Sequence, residues 1–307
     1  MTLLFAHPAA NRHRTPAGHP ERVERVAAVE RGLSGLTLTR RESALATDAD
    51  LLRCHPQAYL DRVRRAEPLS GTVQLDPDTW LSSGSVEAAL RAVGGACAAV
   101  DAVVAGEARN AFVLARPPGH HAETATPMGF CLFGTVAIAA KRALHHHGLS
   151  RIAVVDFDVH HGNGTQDLLW DEPRALFVTS QQMPLWPGSG ERAERGAYGQ
   201  IVNIPLPPYS DGTVMRAAYV AEAFPVLEAW KPEMILISAG FDAHADDPLA
   251  QLGWREADFA WLTERLCDLA DLHAQGRVVS CLEGGYDLDA LAASVAAHVG
   301  VLQERGR

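Results

Sequence analysis

Three polar side chains alternate with two apolar ones in a short segment of the chain. Asp156, Asp158 and His160 are separated by Phe157 and Val159. Side chains two residues apart share a face in an extended chain, so all three project together. Two carboxylates and one imidazole suit a divalent ion of the zinc type, and three protein ligands with one open position are typical of a catalytic site. The alternative is structural, because such residues at a strand end often cap the next helix.

A further carboxylate, Asp242, ends another expected strand and would complete a ligand set with two of the first three residues. The segment from Asp242 to Asp246 also contains His244. Because the DxHxD spacing occurs in metal sites, His244 stays an open candidate. The run His145–His147 at an expected helix end is interpreted as a solvated face, and Asp246–Pro248 as a turn.

Two adjacent histidines, His120 and His121, follow a Pro-Pro-Gly segment. Near a metal cluster such a pair is typical of acid/base catalysis, since an attacking water needs a base and a leaving amine needs an acid. Partners of different charge on their second ring nitrogens would separate the two pKa values. The candidate partners are Asp156, which is charged, and Asn163, which is neutral. Asn163 lies in a predicted tight turn that opens a helix, and a helix cap is its alternative role.

Tyr286 follows two glycines, Gly284 and Gly285, just after an expected strand. From there its hydroxyl could lie over the metal site and stabilise an oxyanion. A packed aromatic ring in a glycine turn is the alternative.

Short apolar segments bounded by turn residues alternate with longer helical patterns, which is typical of a parallel sheet with crossover helices. The segment Ile152–Val155 is apolar on both faces, as a buried parallel strand requires. Strands are expected at Ala111–Ala115, Ile152–Phe157, Ala175–Thr179, Ile201–Ile204, Met234–Ser238 and Val278–Leu282. Helices are expected at about 85–105, 134–147, 212–229, 256–274 and 287–303. The first 75 residues are expected to form one helix at about Glu21–Leu33 with long loops.

Four of the polar segments described above each lie just past the carboxyl end of an expected strand. They are the segments that contain His120, Asp158, Asp242 and Tyr286. In open α/β sheets that edge is where ligands bind. We find no repeat, no low-complexity segment and no composition shift typical of a linker. The sequence therefore predicts a single α/β domain over residues 1–307, with a mostly parallel central sheet flanked by helices.

The composition excludes several classes of protein. With 47% hydrophobic and 21% charged residues the chain is not disordered, and no segment has the roughly 20 apolar residues that span a bilayer. The N-terminus lacks the features of a secretory signal. A formal charge of -10, from 27 Lys and Arg against 37 Asp and Glu, argues against a general nucleic-acid binder. Five scattered cysteines without CxxC spacing indicate free thiols and a cytoplasmic protein.

Taken together, four segments resemble the zinc-dependent histone deacetylase family: RPPGHHAETATPMGFC, DFDVHHGNGTQ, SAGFDAHADDPL and LEGGYDL. The resemblance runs from about Leu81 to Ala297 in the family's motif order, and His19-Pro20-Glu21 extends it towards the N-terminus. HHGNGT and EGGY are similar to the class II branch, which includes bacterial amidohydrolases. The resemblance implies the open arginase-like α/β fold, which agrees with the expected elements.

The resemblance implies two kinds of metal site. The zinc ligands that it implies are Asp158, His160 and Asp242, and the sequence does not distinguish Zn²⁺ from Fe²⁺. A structural potassium ion is implied, bound mostly through backbone carbonyls of Asp156, Asp158, His160, Ser180 and Gln181.

It also implies the catalytic roles. His120, paired with Asp156, is a charged electrostatic group. His121, paired with Asn163, is the general base and then the general acid. Tyr286 donates a hydrogen bond to the acyl oxygen.

A narrow acyl-lysine tunnel is part of the same resemblance. Phe130 and Trp186 match its aromatic walls, and Trp186 stands where the family usually has Phe. Gly129 offers a tunnel carbonyl. Leu249 matches a rim position and is neutral where a polyamine-selective member would carry an acidic gatekeeper. Arg25 matches a position in an internal channel behind the metal.

The activity expected from these residues is hydrolysis of an N-acyl amide, most simply the deacetylation of acetyl-lysine. An acetylpolyamine or another small acylated amine is the alternative substrate. A binuclear-metal ureohydrolase is a rival that the Asp242–Asp246 segment supports and that His120, His121 and Tyr286 argue against. An inactive acyl-amine binding module is the third hypothesis. The expected partner is an acylated amine, and a homo-oligomer is left open.

Overall fold

The computed structural model describes residues 1–307, which form ten strands. The strands are β1 (Thr2–Ala6), β2 (Thr39–Glu42), β3 (Thr72–Asp76), β4 (Thr79–Ser82), β5 (Asn110–Val113), β6 (Ile152–Asp156), β7 (Ala175–Gln182), β8 (Ile201–Leu206), β9 (Met234–Ala239) and β10 (Val278–Leu282). Eight of them form one sheet in the order β2-β1-β5-β10-β9-β6-β7-β8, and all neighbours in it are parallel. Strands β3 and β4 form a separate antiparallel hairpin.

Ten α-helices surround this sheet. They are α1 (Glu24–Leu33), α2 (Asp48–Leu51), α3 (Gln57–Ala66), α4 (Ser85–Val104), α5 (Thr135–His145), α6 (Asn163–Leu169), α7 (Gly212–Ala218), α8 (Phe224–Trp230), α9 (Glu256–His273) and α10 (Leu288–Arg305). Residues of α3, α4 and α5 share one hydrophobic core, and residues of α1 and α7 to α10 share a second.

Both cores use the sheet because its central strands are apolar on both faces. Neighbouring side chains of one strand point to opposite faces, so Val154 belongs to the first core and Val155 to the second. Each is fully buried, and burying a valine contributes about 1.5–3 kcal/mol relative to leaving it in water. The central strands are thereby held between two helical layers, and the loops after them are displayed at one edge.

The N-terminal region contains more regular structure than the single helix with long loops that we expected. Strand β1 lies inside the sheet between β2 and β5, helix α1 begins at Glu24, and α2, α3 and the hairpin follow. The apolar run of β1 is too short to distinguish a strand from a helix by periodicity. Strand β2, of sequence TRRE, is an exposed edge strand without an apolar face, so hydrophobicity gives no sign of it.

The expected strands and helices after residue 80 are present with shifts of one to three residues at their ends. The helix expected at 212–229 is interrupted, because a π-turn at Tyr219–Ala223 separates α7 from α8. Pro225 lies in the first turn of α8 and has no N–H to donate to the preceding turn, which explains the interruption.

No helix combines the length and apolar character that crossing a membrane requires. All five cysteines are buried free thiols, and burial raises the pKa of Cys54 to about 12.

Candidate active site

Four adjacent central strands bring the polar segments together. In the order β5-β10-β9-β6, each strand ends at the same edge because all are parallel. The segment with His120 and His121 follows β5, Tyr286 follows β10, Asp242 follows β9, and Asp158 follows β6. These residues thus meet in one cluster at the edge of the sheet where ligands were expected to bind.

Three of the predicted metal ligands form one compact group. One ligand atom from each of Asp158, His160 and Asp242 lies within 4.8 Å of the others, and all three residues are buried. Nδ1 of His160 lies 3.3 Å from Oδ1 of Asp158 and 3.1 Å from Oδ2 of Asp242. Burial and the nearby charge of Asp158 raise the pKa of Asp242 to about 7. Two carboxylates at this depth repel each other, and a cation between them would remove the repulsion.

The space beside these ligands also fits a metal centre. Gly284 donates its backbone N–H to Oδ2 of Asp158 over 2.9 Å. A Cβ at Gly284 would lie 2.6 Å from that oxygen and would also overlap Oδ2 of Asp242. Only glycine therefore lets the β10 loop approach both carboxylates. The donor set and this cradle suit a divalent cation of the zinc type.

The two histidines have different partners. Nδ1 of His120 lies 3.0 Å from Oδ2 of Asp156, and Nδ1 of His121 lies 2.8 Å from Oδ1 of Asn163. Asn163 is the first residue of α6 and Gly162 is the cap, so the capping role considered for Asn163 is wrong. Its amide nitrogen donates to Oε1 of Glu123 over 2.8 Å. Because a carboxylate only accepts, the amide oxygen must face His121, whose Nδ1 then carries the proton and whose Nε2 is free.

The pKa values of these histidines shift in opposite directions. Burial works against a charged His120, but the carboxylates of Asp158 and Asp156 outweigh it and raise its pKa well above the usual value. Burial lowers the pKa of His121 well below its usual value, and the positive charges of His120 and His160 lower it further. The arrangement therefore holds one cationic imidazole beside a neutral one.

Tyr286 lies over this cluster. Its backbone N–H donates to Oδ2 of Asp247 over 2.7 Å, and the Arg25 guanidinium lies 5.0 Å from the ring centroid. Burial and the charge of Asp242 raise the pKa of its hydroxyl well above the usual value. The phenol consequently stays protonated and can donate a hydrogen bond.

A cavity of about 190 Å³ leads to the cluster. It is lined by Asp78, His121, Gly129, Phe130, His160, Leu185, Trp186, Leu249 and Tyr286. The Phe130 ring lies edge-on to Tyr286 at 5.8 Å, and the Trp186 ring lies edge-on to His121 at 4.7 Å. All four residues expected at the tunnel lie in its lining. A cavity of about 370 Å³ elsewhere, beside His7 and Arg40, is larger but contains no metal-ligand group.

Gly129 lets the tunnel wall approach the histidines. Its φ is +56°, and a Cβ there would lie 2.6 Å from Cγ of His121 and 2.7 Å from Cη2 of Trp186. Phe130, the next residue, also has a positive φ, of +67°. A bulky residue with a positive φ is uncommon. In Phe130 this conformation directs the ring into the cavity wall.

Sequence reasoning missed several residues that position these groups. Glu283 is buried, and its Oε2 accepts hydrogen bonds from the backbone N–H groups of Gly119 and His120 at 2.6 and 3.2 Å. Burial raises the pKa of its carboxyl to about 7. A charged residue at the end of the apolar strand β10 is the signal that could have identified it.

Asp247, which we interpreted only as part of a turn, accepts hydrogen bonds from the N–H groups of Leu249 and Tyr286 at 3.0 and 2.7 Å. It therefore joins a rim residue to the tyrosine. Asp78 lines the cavity, and its Oδ1 accepts from the N–H of Gly129 at 3.1 Å.

A buried charge network ties the N-terminal region to this edge. Glu21 accepts two hydrogen bonds from Arg116 at 2.6 and 3.0 Å and one from Arg25 at 3.2 Å. Arg25 also donates to the carbonyl oxygens of Glu283 and Gly285. The N-terminal region thus fixes the backbone on which Tyr286 lies.

The five residues expected at potassium lie at the ends of the neighbouring strands β6 and β7, and all are buried. Ser180 shares a hydrogen bond of 2.8 Å with the hydroxyl of Tyr219, and Gln181 donates to the carbonyl oxygen of Gly190.

Two groups of candidate residues stay outside the cluster. Nδ1 of His244 accepts from the N–H of Asp246, while the Asp246 carboxylate is exposed and pairs with Arg255. The structure thus gives no second group of metal ligands around Asp242.

His146 and His147 lie within ligand distance of Asp101, but Arg142 already pairs with that carboxylate through two hydrogen bonds. The solvated-face interpretation explains this run.

The chain matches a known protein family over most of its length. The model of the histone deacetylase domain matches residues 19–302. A histone deacetylase-like amidohydrolase of Pseudomonas aeruginosa is 40% identical over 278 residues, which are 88% of this chain and 73% of that protein. A probable deacetylase of Archaeoglobus fulgidus is 38% identical over 300 residues, which are 94% of this chain and 82% of that protein.

The fold has a close counterpart among solved structures. The crystal structure of the HDA15 HD domain superimposes with a TM-score of 0.91 at 29% sequence identity. The superposition covers 98% of this chain and 90% of that one. The expected mostly parallel α/β fold is therefore confirmed.

Proposed function

The chain belongs to the histone deacetylase domain family, and we propose that it is a zinc-dependent hydrolase that removes an acetyl or other acyl group from an N-acylated amine, preferentially acetyl-lysine. One observation carries this proposal. His121, with its Nε2 free, and Tyr286, with its protonated hydroxyl, line the same narrow cavity as the metal-ligand residue His160.

Asp158, His160 and Asp242 would hold the metal. When bound, Zn²⁺ supplies a Lewis acid that polarises the acyl oxygen and acidifies water; Fe²⁺ is also compatible with this donor set. We further propose a structural potassium ion at Asp156, Asp158, His160, Ser180 and Gln181. Burial of all five at neighbouring strand ends supports this site.

His121 is the proposed general base. Its neutral ring has a proton on Nδ1, held by Asn163, so Nε2 can take the proton of an attacking water. The same nitrogen would then protonate the departing amine. His120, held by Asp156, would stay positively charged throughout and stabilise negative charge that develops beside it.

Tyr286 is the proposed donor to the acyl oxygen. Its place in the cavity lining lets the hydroxyl donate to an oxyanion as the carbonyl carbon becomes tetrahedral. Asp247 and Arg25 would set the position of this tyrosine through its backbone and its ring.

The substrate proposal rests on the cavity lining. Phe130, Trp186, Leu185 and Leu249 give it largely apolar walls, which suit the aliphatic chain of an acylated lysine. An acetylpolyamine or another small acylated amine is the second candidate, since it would offer the same chain. Leu249 favours lysine, because a neutral side chain at this rim position offers no charge to a distal ammonium group, although the lining also contains the carboxylate of Asp78.

The two rival functions have less support. A binuclear ureohydrolase needs further ligands near Asp242, and His244 and Asp246 are engaged elsewhere. An inactive binding module would lack the base or a ligand, and this chain has both.

Amine release from a matched panel tests the proposal. The panel contains an acetyl-lysine peptide, longer-chain acyl-lysines, N-acetylputrescine and N⁸-acetylspermidine, each with the zinc-loaded protein and with His121→Ala. We expect turnover that the substitution abolishes, with the acetyl-lysine peptide preferred. Metal analysis should give one catalytic ion for each chain. Two divalent ions would favour the ureohydrolase, and one bound divalent ion with no turnover by the wild type would favour the binding module.

A further inference from the structure

The loop between β7 and β8, residues 183–200, carries one wall of the tunnel and is held to the rest of the protein at separate points. At its start, the backbone N–H of Met183 donates to the last carbonyl oxygen of β8 over 2.8 Å. Leu185 and Trp186 follow and line the cavity. No backbone–backbone hydrogen bond involves residues 184–188. The position of the two wall residues therefore depends on the next point of attachment.

That attachment is a buried histidine beside a proposed metal ligand. His161 follows His160 and is 1% exposed. Nδ1 of its ring lies 2.8 Å from Oγ of Ser189, and its Nε2 lies 3.1 Å from Oε1 of Gln166 on helix α6. The loop is thus tied, three residues after Trp186, to the segment that supplies His160.

A carboxylate fixes the direction of these hydrogen bonds. Nε2 of Gln166 donates to Oε2 of Glu194 over 2.5 Å. Because a carboxylate only accepts, Oε1 of Gln166 must face His161 and accept from its Nε2–H. Burial lowers the pKa of the His161 ring to about 4, so the ring is neutral and its Nδ1 accepts from the hydroxyl of Ser189. The four side chains form one directed series that begins at Ser189 and ends at Glu194.

The series returns to the same loop. Oε1 of Glu194 accepts from the backbone N–H groups of Gly190 and Glu191 at 3.1 and 3.0 Å. Gly190 is buried and has a φ of +94°, and a Cβ there would lie 2.7 Å from Cγ of His161. Only glycine therefore lets the loop approach this histidine. We call the four side chains the loop latch: Ser189, His161, Gln166 and Glu194.

The wall residue next to the latch borders the proposed reacting groups. The Trp186 ring lies edge-on to the rings of His121 and His160, with centroid distances of 4.7 and 6.2 Å. It therefore limits the room beside the proposed base and a proposed metal ligand, where the acyl group must lie. Trp186 is 42% exposed, so the hydrophobic cores do not fix it. Release of the loop would let this ring move away from both histidines.

We propose that the loop latch holds Trp186 at its distance from His121 and thereby restricts the site to short acyl groups. The inference rests on the proposed deacylase function and adds what selects its acyl group. A cavity of about 190 Å³ that holds the aliphatic chain of a lysine has little space for a longer acyl chain while the ring stays in place. The latch residues act through Trp186, so they are positioning residues.

The test uses an acetyl-lysine and a butyryl-lysine peptide of the same sequence, with the zinc-loaded wild type and three variants. Ser189→Ala removes the first donor of the latch. Gly190→Ala places a methyl group against His161 and forces the loop away from it. Gly199→Ala is the matched control, because Gly199 lies in the same loop with a φ of +76°, but no atom lies within 4 Å of the added carbon.

We expect the ratio of kcat/KM for the acetyl peptide to that for the butyryl peptide to fall in both latch variants. The fall should be about twofold to tenfold in Ser189→Ala, the size of one net hydrogen bond, and larger in Gly190→Ala. In Ser189→Ala, kcat for the acetyl peptide should change little, because the proposed base and its partner Asn163 are intact. Gly199→Ala should keep the ratio of the wild type, although its Tm should fall through backbone strain.

Four results would overturn the inference. A ratio that is unchanged or higher in both latch variants would refute it while leaving the deacylase function intact. Equal losses for the two peptides would show that the latch only supports the fold. An equal change of the ratio in Gly199→Ala would assign the effect to backbone strain. Absence of turnover of both peptides by the wild type would instead refute the proposed function, and this inference with it.

Discussion

The side-chain nitrogen of Asn163 lies 2.8 Å from Oε1 of Glu123, and this contact orients the amide whose oxygen accepts from His121. The tautomer of the proposed base is thus set by a carboxylate that is not itself hydrogen-bonded to the base. Glu123 is therefore a positioning residue.

Glu123→Gln should weaken this control. A glutamine can present either its oxygen or its nitrogen to Asn163, so the amide of Asn163 is free to turn and leave Nδ1 of His121 without an acceptor. We expect kcat to fall by about 10-fold, at the low end of the effect of removing an outer partner, while KM is unchanged. Glu191→Gln, on an exposed loop, is the control. Equal kcat values for the two variants would argue against the role of Glu123.

Tyr286→Phe removes the proposed donor and keeps the ring. We expect kcat to fall by about 10²–10³, as when one oxyanion donor is lost, with little change in stability. Steady-state kinetics with the best substrate of the panel measures the loss. A change under about threefold would mean that the tyrosine has no part in stabilising the oxyanion.

Gly129→Ala tests the close approach of the tunnel wall. The added methyl group would overlap His121 and Trp186, so we expect kcat/KM to fall by more than about 10-fold through misplacement of the base. Gly148→Ala is the matched control, because Gly148 also has a positive φ, of +70°, but no atom lies within 4 Å of the added carbon. Both variants should lose stability through strain. Similar activity losses in both would show that strain, and not the overlap, is responsible.

Glu21→Gln should destabilise the fold. It would leave Arg25 and Arg116 buried without a counter-charge, which costs about 3–5 kcal/mol. Urea unfolding measures this, with Glu30→Gln as the control. The Glu30–Arg40 pair is exposed, so its loss should cost no more than about 1 kcal/mol. Equal costs would mean that the buried network is not needed for stability.

His298 gives the stability a defined pH dependence. Burial lowers its pKa to about 3, from an ordinary value of 6.5. The unfolded chain therefore binds a proton below about pH 6.5 that the folded chain does not, so stability is complete above that pH and is lost as the pH falls. Between pH 6.5 and 5.5 this residue should remove up to about 1 kcal/mol of the free energy of unfolding.

Urea unfolding of the wild type and His298→Gln at both pH values checks this contribution. The glutamine can keep hydrogen bonds to Thr263 and Ser280, the two partners of the imidazole. The difference between the two proteins should shrink at the lower pH. A difference that is constant, or that grows as the pH falls, would contradict the assignment.

The sequence by itself located the residues on which the proposed chemistry rests. Asp156, Asp158, His160 and Asp242 could be singled out as candidate ligands because a metal needs particular ligand atoms, and because the carboxyl ends of parallel strands meet at one edge. The family resemblance then selected Asp158, His160 and Asp242. The pairing of His120 and His121 with partners of different charge could be anticipated from the residue types. The strand β2 could not, since an exposed edge strand has no apolar pattern to reveal it.

The tertiary structure decided which groups hold the site in place. Glu283 is 164 residues from Gly119, and Arg25 is 260 residues from Gly285, yet each pair shares a hydrogen bond. No local pattern encodes such contacts, because they arise only when the order of strands places β10 between β5 and β9. Local spacing thus indicates which groups are proposed to react, while their orientation depends on partners that only the folded sheet brings within bonding distance.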